Sequence, residues 1–213
     1  MNVRSVELED EQVQMFSFLQ KRLNHSKPRC ITTSSETLPT LVFTDGAYEP
    51  GGDSDGLVGT ASIGGVIYYH DGLQYHCRAF GCILPRSLVE KWAKTGKRHL
   101  IGQTELYAVV IARLVWSNYI DNKRCIFFID HGGVMSACIK GNAKDLSWRT
   151  LLLKMEEHDE LAPVIGWFTR VPSASNIADG PSRGKFDELK HFIRDHPVCM
   201  ITSEHMLGSE NLL

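Results

Sequence analysis

The chain lacks any apolar run near the roughly 20 residues that a membrane-spanning helix needs, so no membrane partner is expected. It lacks a C-x-x-C pair: Cys30, Cys77, Cys82, Cys125, Cys138 and Cys199 are scattered. That pattern argues for reduced thiols in an intracellular protein, cytoplasmic or nuclear, rather than a disulfide scaffold. It lacks an apolar leader, because Met1 runs into the charged stretch NVRSVELEDEQ, so no secretory signal is expected. It also lacks an excess of either charge. The formal net charge of −2 leaves no global basic field to announce a nucleic acid, although a local patch would suffice. No internal repeat is present.

What the chain has is a core. With 43% hydrophobic and 23% charged residues over 213 positions, it can fold as one domain with an extension. Residues 1–39 are the expected extension. Val13, Phe16, Phe18 and Leu19 suit a short amphipathic helix, and NHSKPRCITTSSETLP suits a linker. Residues 40–196 are the expected domain, and 197–213 a tail.

Within the domain, TLVFTDGAY reads as a strand, and TASIGGVIYYH and LQYHCRAFGCI as a hairpin joined by a turn at Asp71-Gly72. QTELYAVVIARLVWSNYI has helical apolar spacing. KRCIFFID is nearly all apolar, which predicts an inner strand covered on both faces. GVMSACIKG and LSWRTLLLKMEEHDEL read as helices, PVIGWFTRVPS as the last strand, and KFDELKHFIRDH as a final helical region. The expected fold is therefore α/β: a five-stranded mixed sheet, three antiparallel strands followed by parallel ones, flanked by helices.

Four carboxylates stand where apolar segments give way to polar ones. Asp45 follows LVFT, Glu105 opens the long helix, Asp130 follows IFFI, and Asp179 lies in NIADGPSRG. Each has an ordinary explanation in turn, cap or helix-dipole chemistry. Two of them, however, end the two most apolar strands. If those strands are neighbours, the acids approach closely, and both stay charged only with a cation between them. A hard divalent ion such as Mg²⁺ takes oxygen ligands of this kind.

FTDGAY, QTELYAV, FFIDHGGV and NIADGPSRG, in that order, resemble the ribonuclease H domain over roughly 40–196. The ending VPSASNIADGPSRG is similar to that domain in reverse transcriptases of hepadnavirus-like and tyrosine-recombinase-type retroelements. Cellular members usually carry a His in the loop before the last Asp, whereas TRVPSASN here has none. The resemblance implies the ribonuclease H-like fold and two-metal hydrolysis of the RNA strand of an RNA–DNA hybrid, leaving 5′-phosphate products. It implies two Mg²⁺ ions, with Mn²⁺ able to substitute. Asp45 would bridge both, Glu105 and Asp130 would hold one, and Asp179 the other. It also implies association with a reverse transcriptase or polymerase domain outside this chain.

Hybrid recognition turns on the 2′-hydroxyl, which faces the wide minor groove. Gln103 and Thr104, just ahead of the helix Glu, are the candidates to meet it, with backbone groups of Gly46 and Ala47. Phosphate contacts are assigned to the basic run of Arg86 to His99, chiefly Lys94, Lys97 and Arg98. Lys140, Lys144, Trp148 and Arg149 offer a second, shorter patch. Arg183 either touches a phosphate or pairs with a nearby acid, the pairing being favoured. His131, beside Asp130, reads as structural.

Two rival readings remain. A 3′–5′ exonuclease of the same superfamily needs D-x-E in its first strand, and here Asp45 is followed by Gly46 and Ala47, with Glu49 too late. A catalytically weak ribonuclease H-fold scaffold in a larger nucleic-acid machine normally loses its acids, and all four are present.

Overall fold

The structure is a computed structural model, and it describes residues 9–25, 37–51, 59–94 and 99–191. It divides into two compact units, residues 1–34 and 35–213. In the first unit, the apolar spacing expected to form a helix does so, as α1, Asp10–His25.

The second unit begins with β1, Thr40–Glu49. Then come β2, Thr60–His70, and β3, Tyr75–Ile83. Helices α2, Arg86–Ala93, α3, Ile101–Val115, and the single turn α4, Ser117–Ile120, lead to β4, Arg124–Ile129. Helices α5, Gly132–Lys140, and α6, Leu146–Leu161, lead to β5, Ile165–Arg170. A short α7, Asp179–Ser182, follows. The strand order is β3-β2-β1-β4-β5, with β1, β2 and β3 antiparallel and β1, β4 and β5 parallel. This is the five-stranded mixed sheet, three antiparallel strands followed by parallel ones, that the element order predicts. No described helix is long and apolar enough to cross a membrane.

The alternation of β1 divides the core into two faces. Val42 belongs to the main core, which α3 fills with Leu106, Val109 and Val110, and to which α5 and α6 contribute Val134, Leu151 and Leu152. Phe43 points the other way, beside a smaller cluster of Val66, Ala79, Ala178 and Leu189. Helix α3 is buried from Gly102 to Arg113, consistent with its nearly unbroken apolar sequence. Arg113 is buried within it and pairs with Asp159 of α6.

Three local expectations are corrected. The hairpin loop is Asp71–Gln74 rather than a two-residue turn, because the Asp71 carboxylate accepts from the N–H groups of Leu73 and Gln74 and closes a wider loop. The long helix ends at Val115, and Trp116 separates it from α4. Strand β4 is fully buried on one face only. Cys125, Phe127 and Ile129 are covered, whereas Ile126 and Phe128 are half-buried because α7 packs on β1, β2 and β3 instead.

The first part of the basic run left without an element, Arg86–Ala93, forms α2. Its Val89 and Trp92 enter the core, and Trp92 meets Tyr107 edge-on with ring centroids 5.6 Å apart.

Candidate metal centre

The parallel register pairs Thr44 with Ile129. One step further, β1 continues with Asp45 and β4 gives way to Asp130, so the two acids lie side by side at the same end of the sheet. Gly46 brings the third. A Cβ there would lie 2.6 Å from the Glu105 backbone nitrogen, so only a bare backbone lets α3 sit this close to β1. Oxygens of Asp45, Glu105 and Asp130 all lie within 4.8 Å of one another.

A second glycine seats α7. A Cβ on Gly64, the β2 partner of Asp45, would lie 2.2 Å from the Ser182 nitrogen. With α7 pressed onto the sheet, the buried Ser182 hydroxyl donates to Asp45 Oδ2. Asn176 Nδ2 donates to the Thr44 carbonyl at 3.0 Å and reaches Asp45 Oδ1 at 3.3 Å. The NIADGPSRG segment therefore supplies two groups that orient Asp45, and sequence reading assigned neither. The signal was present, since both residues lie in the motif, but only the fold shows that they aim at the first strand.

Burial, then the Asp130 and Asp179 charges, raise Asp45 to about 6, against the lowering effect of the Ser182 hydrogen bond. Burial pushes Glu105 up to about 10, reinforced by Asp45 and Asp130, although the Gly46 N–H donates to its carboxylate. Glu105 Oε2 and Asp130 Oδ1 are buried and have no hydrogen-bond partner among the described residues. Buried carboxylate oxygens without a donor are costly, and a divalent cation satisfies both at once. The all-oxygen donor set fits Mg²⁺ or Mn²⁺.

Asp179 stands apart from this trio. It is half-exposed, and Arg183 Nε donates to its Oδ1 at 3.1 Å, the pairing favoured for that arginine. Its charge still reaches Asp45.

The other sequence-assigned residues take varied places. Gln103 is buried at 2% exposure, with Nε2 lacking a partner among the described residues. Thr104 is fully buried, and its hydroxyl donates to the Leu100 carbonyl at 2.9 Å. Ala47 is buried opposite Ser62. Lys94 is exposed at the end of α2, and Lys97 and Arg98 lie outside the described residues. Lys140, Lys144 and Arg149 are exposed. Trp148 instead packs inward against Gly102.

No protein-family model matches the chain, and no curated protein matches it. Among solved structures, the chain is similar to RNase H1 from the halophilic archaeon Halobacterium salinarum. Identity is 21%, covering 70% of this chain and 98% of that one, with a TM-score of 0.47. It is similar to LC11-RNase H1 in complex with an RNA/DNA hybrid at 16% identity, covering 70% and 97%, with a TM-score of 0.41. It is also similar to a foamy viral protease-reverse transcriptase in complex with dsDNA, at 13% identity, covering 68% and 94%, with a TM-score of 0.43.

Proposed function

We propose that this chain is a metal-dependent endonuclease that hydrolyses the RNA strand of RNA–DNA hybrids. The observation that carries the reading is the meeting of Asp45, Glu105 and Asp130 at one end of the sheet, two of them with buried oxygens that have no donor among the described residues. The four sequence motifs that resemble ribonuclease H place acids at these positions, in this order.

In this reading Asp45, Glu105 and Asp130 would hold the divalent cation, with Asp179 as a further ligand for a second ion. Bound there, the ions supply an activated water and a stabilised 3′-oxygen leaving group, which gives 5′-phosphate products. Ser182 and Asn176 keep the Asp45 carboxylate aimed at the site. Gln103, at the head of α3 just before Glu105, is the side chain assigned to the 2′-hydroxyl that separates RNA from DNA, a role in which its buried Nε2 turns outward to donate. Lys94, Lys97 and Arg98 contact phosphates. The similarity of VPSASNIADGPSRG to retroelement enzymes supports a retroelement origin and a polymerase partner outside this chain.

The test is a substrate panel in Mg²⁺, in Mn²⁺ and in chelator: a labelled RNA–DNA hybrid, single-stranded RNA, double-stranded RNA and DNA. Internal cuts confined to the hybrid's RNA strand, with 5′-phosphate ends, abolished by chelator, are expected. Stepwise loss of DNA from its 3′ end, or hybrid binding with no cleavage in either metal, contradicts the proposal.

A further inference from the structure

Bringing three carboxylates together without a cation is unfavourable, so the elements that carry them must be held from outside. Strand pairing holds Asp45 and Asp130. Glu105 rides on α3, whose first turn has no side-chain cap. Gly46 of β1 presses on that turn from one side, and α6 presses on it from another.

Trp148 sits in the first turn of α6 at a fixed position, since its backbone N–H is capped by Asp145 Oδ1 at 3.1 Å. Its ring lies on Gly102, where a Cβ would come within 2.3 Å of Trp148 Cζ2. Gly102 and Glu105 are three residues apart on the same helix, so they share a side of it. The same ring reaches the segment after Asp130. Trp148 Cη2 lies 3.6 Å from the position of a Cβ on Gly133, and the His131 ring meets Trp148 edge-on at a centroid distance of 6.0 Å. His131 caps α5 by accepting the Val134 N–H on Nδ1 at 3.2 Å. One indole thus touches the turn that carries Glu105 and the turn that follows Asp130. Its own Nε1 is buried and has no partner among the described residues, although a buried tryptophan usually finds one, so shape rather than hydrogen bonding places the ring.

We propose that Trp148 is a positioning residue for the acid cluster: wedged between Gly102 and the His131–Gly133 turn, it sets the separation of Glu105 and Asp130 and hence the affinity for a divalent cation. The inference rests on reading the cluster as a metal centre. Trp148 touches no reacting group in it, and its effect passes through the two carboxylates.

The test measures Mn²⁺ binding directly, by calorimetry on the whole chain without nucleic acid. Trp148→Ala should weaken binding by about tenfold or more, the range typical of residues that support metal ligands. Gly102→Ala, which pushes on the same contact from the other side, should weaken it as well, and it carries the test if Trp148→Ala does not fold. Ile120→Ala, a core cavity at the end of β4 opposite to Asp130, should leave Mn²⁺ affinity unchanged. In a Glu105→Gln background, Trp148→Ala should cause little further loss. Wild-type affinity in Trp148→Ala, an equal loss in Ile120→Ala, or a full extra loss in the Glu105→Gln background would each overturn the proposal. If Glu105→Gln and Asp130→Asn themselves leave Mn²⁺ binding intact, the metal reading falls, and the role of Trp148 with it.

Discussion

Asp45 and Asp130 stand next to each other because β1 and β4 are parallel neighbours, each acid one step past the last paired residues, Thr44 and Ile129. An apolar strand ending in a carboxylate is costly alone. Two such strands ending together, with Glu105 of α3 beside them, make a group of acids able to hold a divalent cation.

That cost is measurable without metal. Asp45 has its pKa raised from 3.8 to about 6, so the folded state holds the proton more tightly than the unfolded chain. Stability is therefore lost as pH rises through that window and stays lost above it. In chelator, Asp45→Asn should stabilise the protein by about 2 kcal/mol at pH 7, with the gain vanishing below pH ~3.5. Thermal melts at the two pH values check this; an Asn variant less stable at pH 7 would contradict it.

Two glycines near the site, Gly64 and Gly132, should behave differently from each other. Gly64→Ala drives a Cβ into the α7 backbone and pulls Ser182 from Asp45, at an expected cost of about 2 kcal/mol or more. Gly132→Ala meets nothing within 4 Å and should stay within about 0.5 kcal/mol of the parent. Denaturant unfolding of both variants separates close approach from a general glycine effect.

The succession of three antiparallel strands and then parallel ones was legible because apolar strands and a 3.6-residue helix period are local patterns, and the approach of Asp45 and Asp130 followed if their strands were neighbours; Glu105 joined them only through the resemblance to ribonuclease H. What was not legible was long-range. Ser182 and Asn176 reach Asp45 across more than 130 residues of chain, and no spacing announces that. Arg113 looks like an exposed basic residue near the end of a helix, but α6 covers it and supplies Asp159. The double cover expected for β4 failed because its composition does not reveal that α7 packs elsewhere on the sheet.

Arg113 yields its own prediction. Asp159→Ala strips the buried guanidinium of its carboxylate and should cost about 3–5 kcal/mol, whereas replacing both residues with apolar ones should recover much of the loss. Chemical denaturation of the single and double variants checks this; a single-variant cost below about 1 kcal/mol, the scale of an exposed pair, would contradict it.

Neutralising Lys94, Lys97 and Arg98 together should weaken hybrid binding and flatten its dependence on salt. The log–log slope should fall by about 0.9 for each phosphate that is no longer neutralised. Binding titrations across a salt series read this directly. An unchanged slope would mean that the basic run faces solvent alone.

Whether the acid cluster makes this chain a nuclease is decided by cleavage of an end-labelled RNA–DNA hybrid in Mg²⁺ by the wild-type chain and by Asp130→Asn, both shown to be folded. Internal cuts in the RNA strand by the wild type, and a loss of several orders of magnitude in the variant, are expected. Equal cleavage by the two proteins would contradict the assignment.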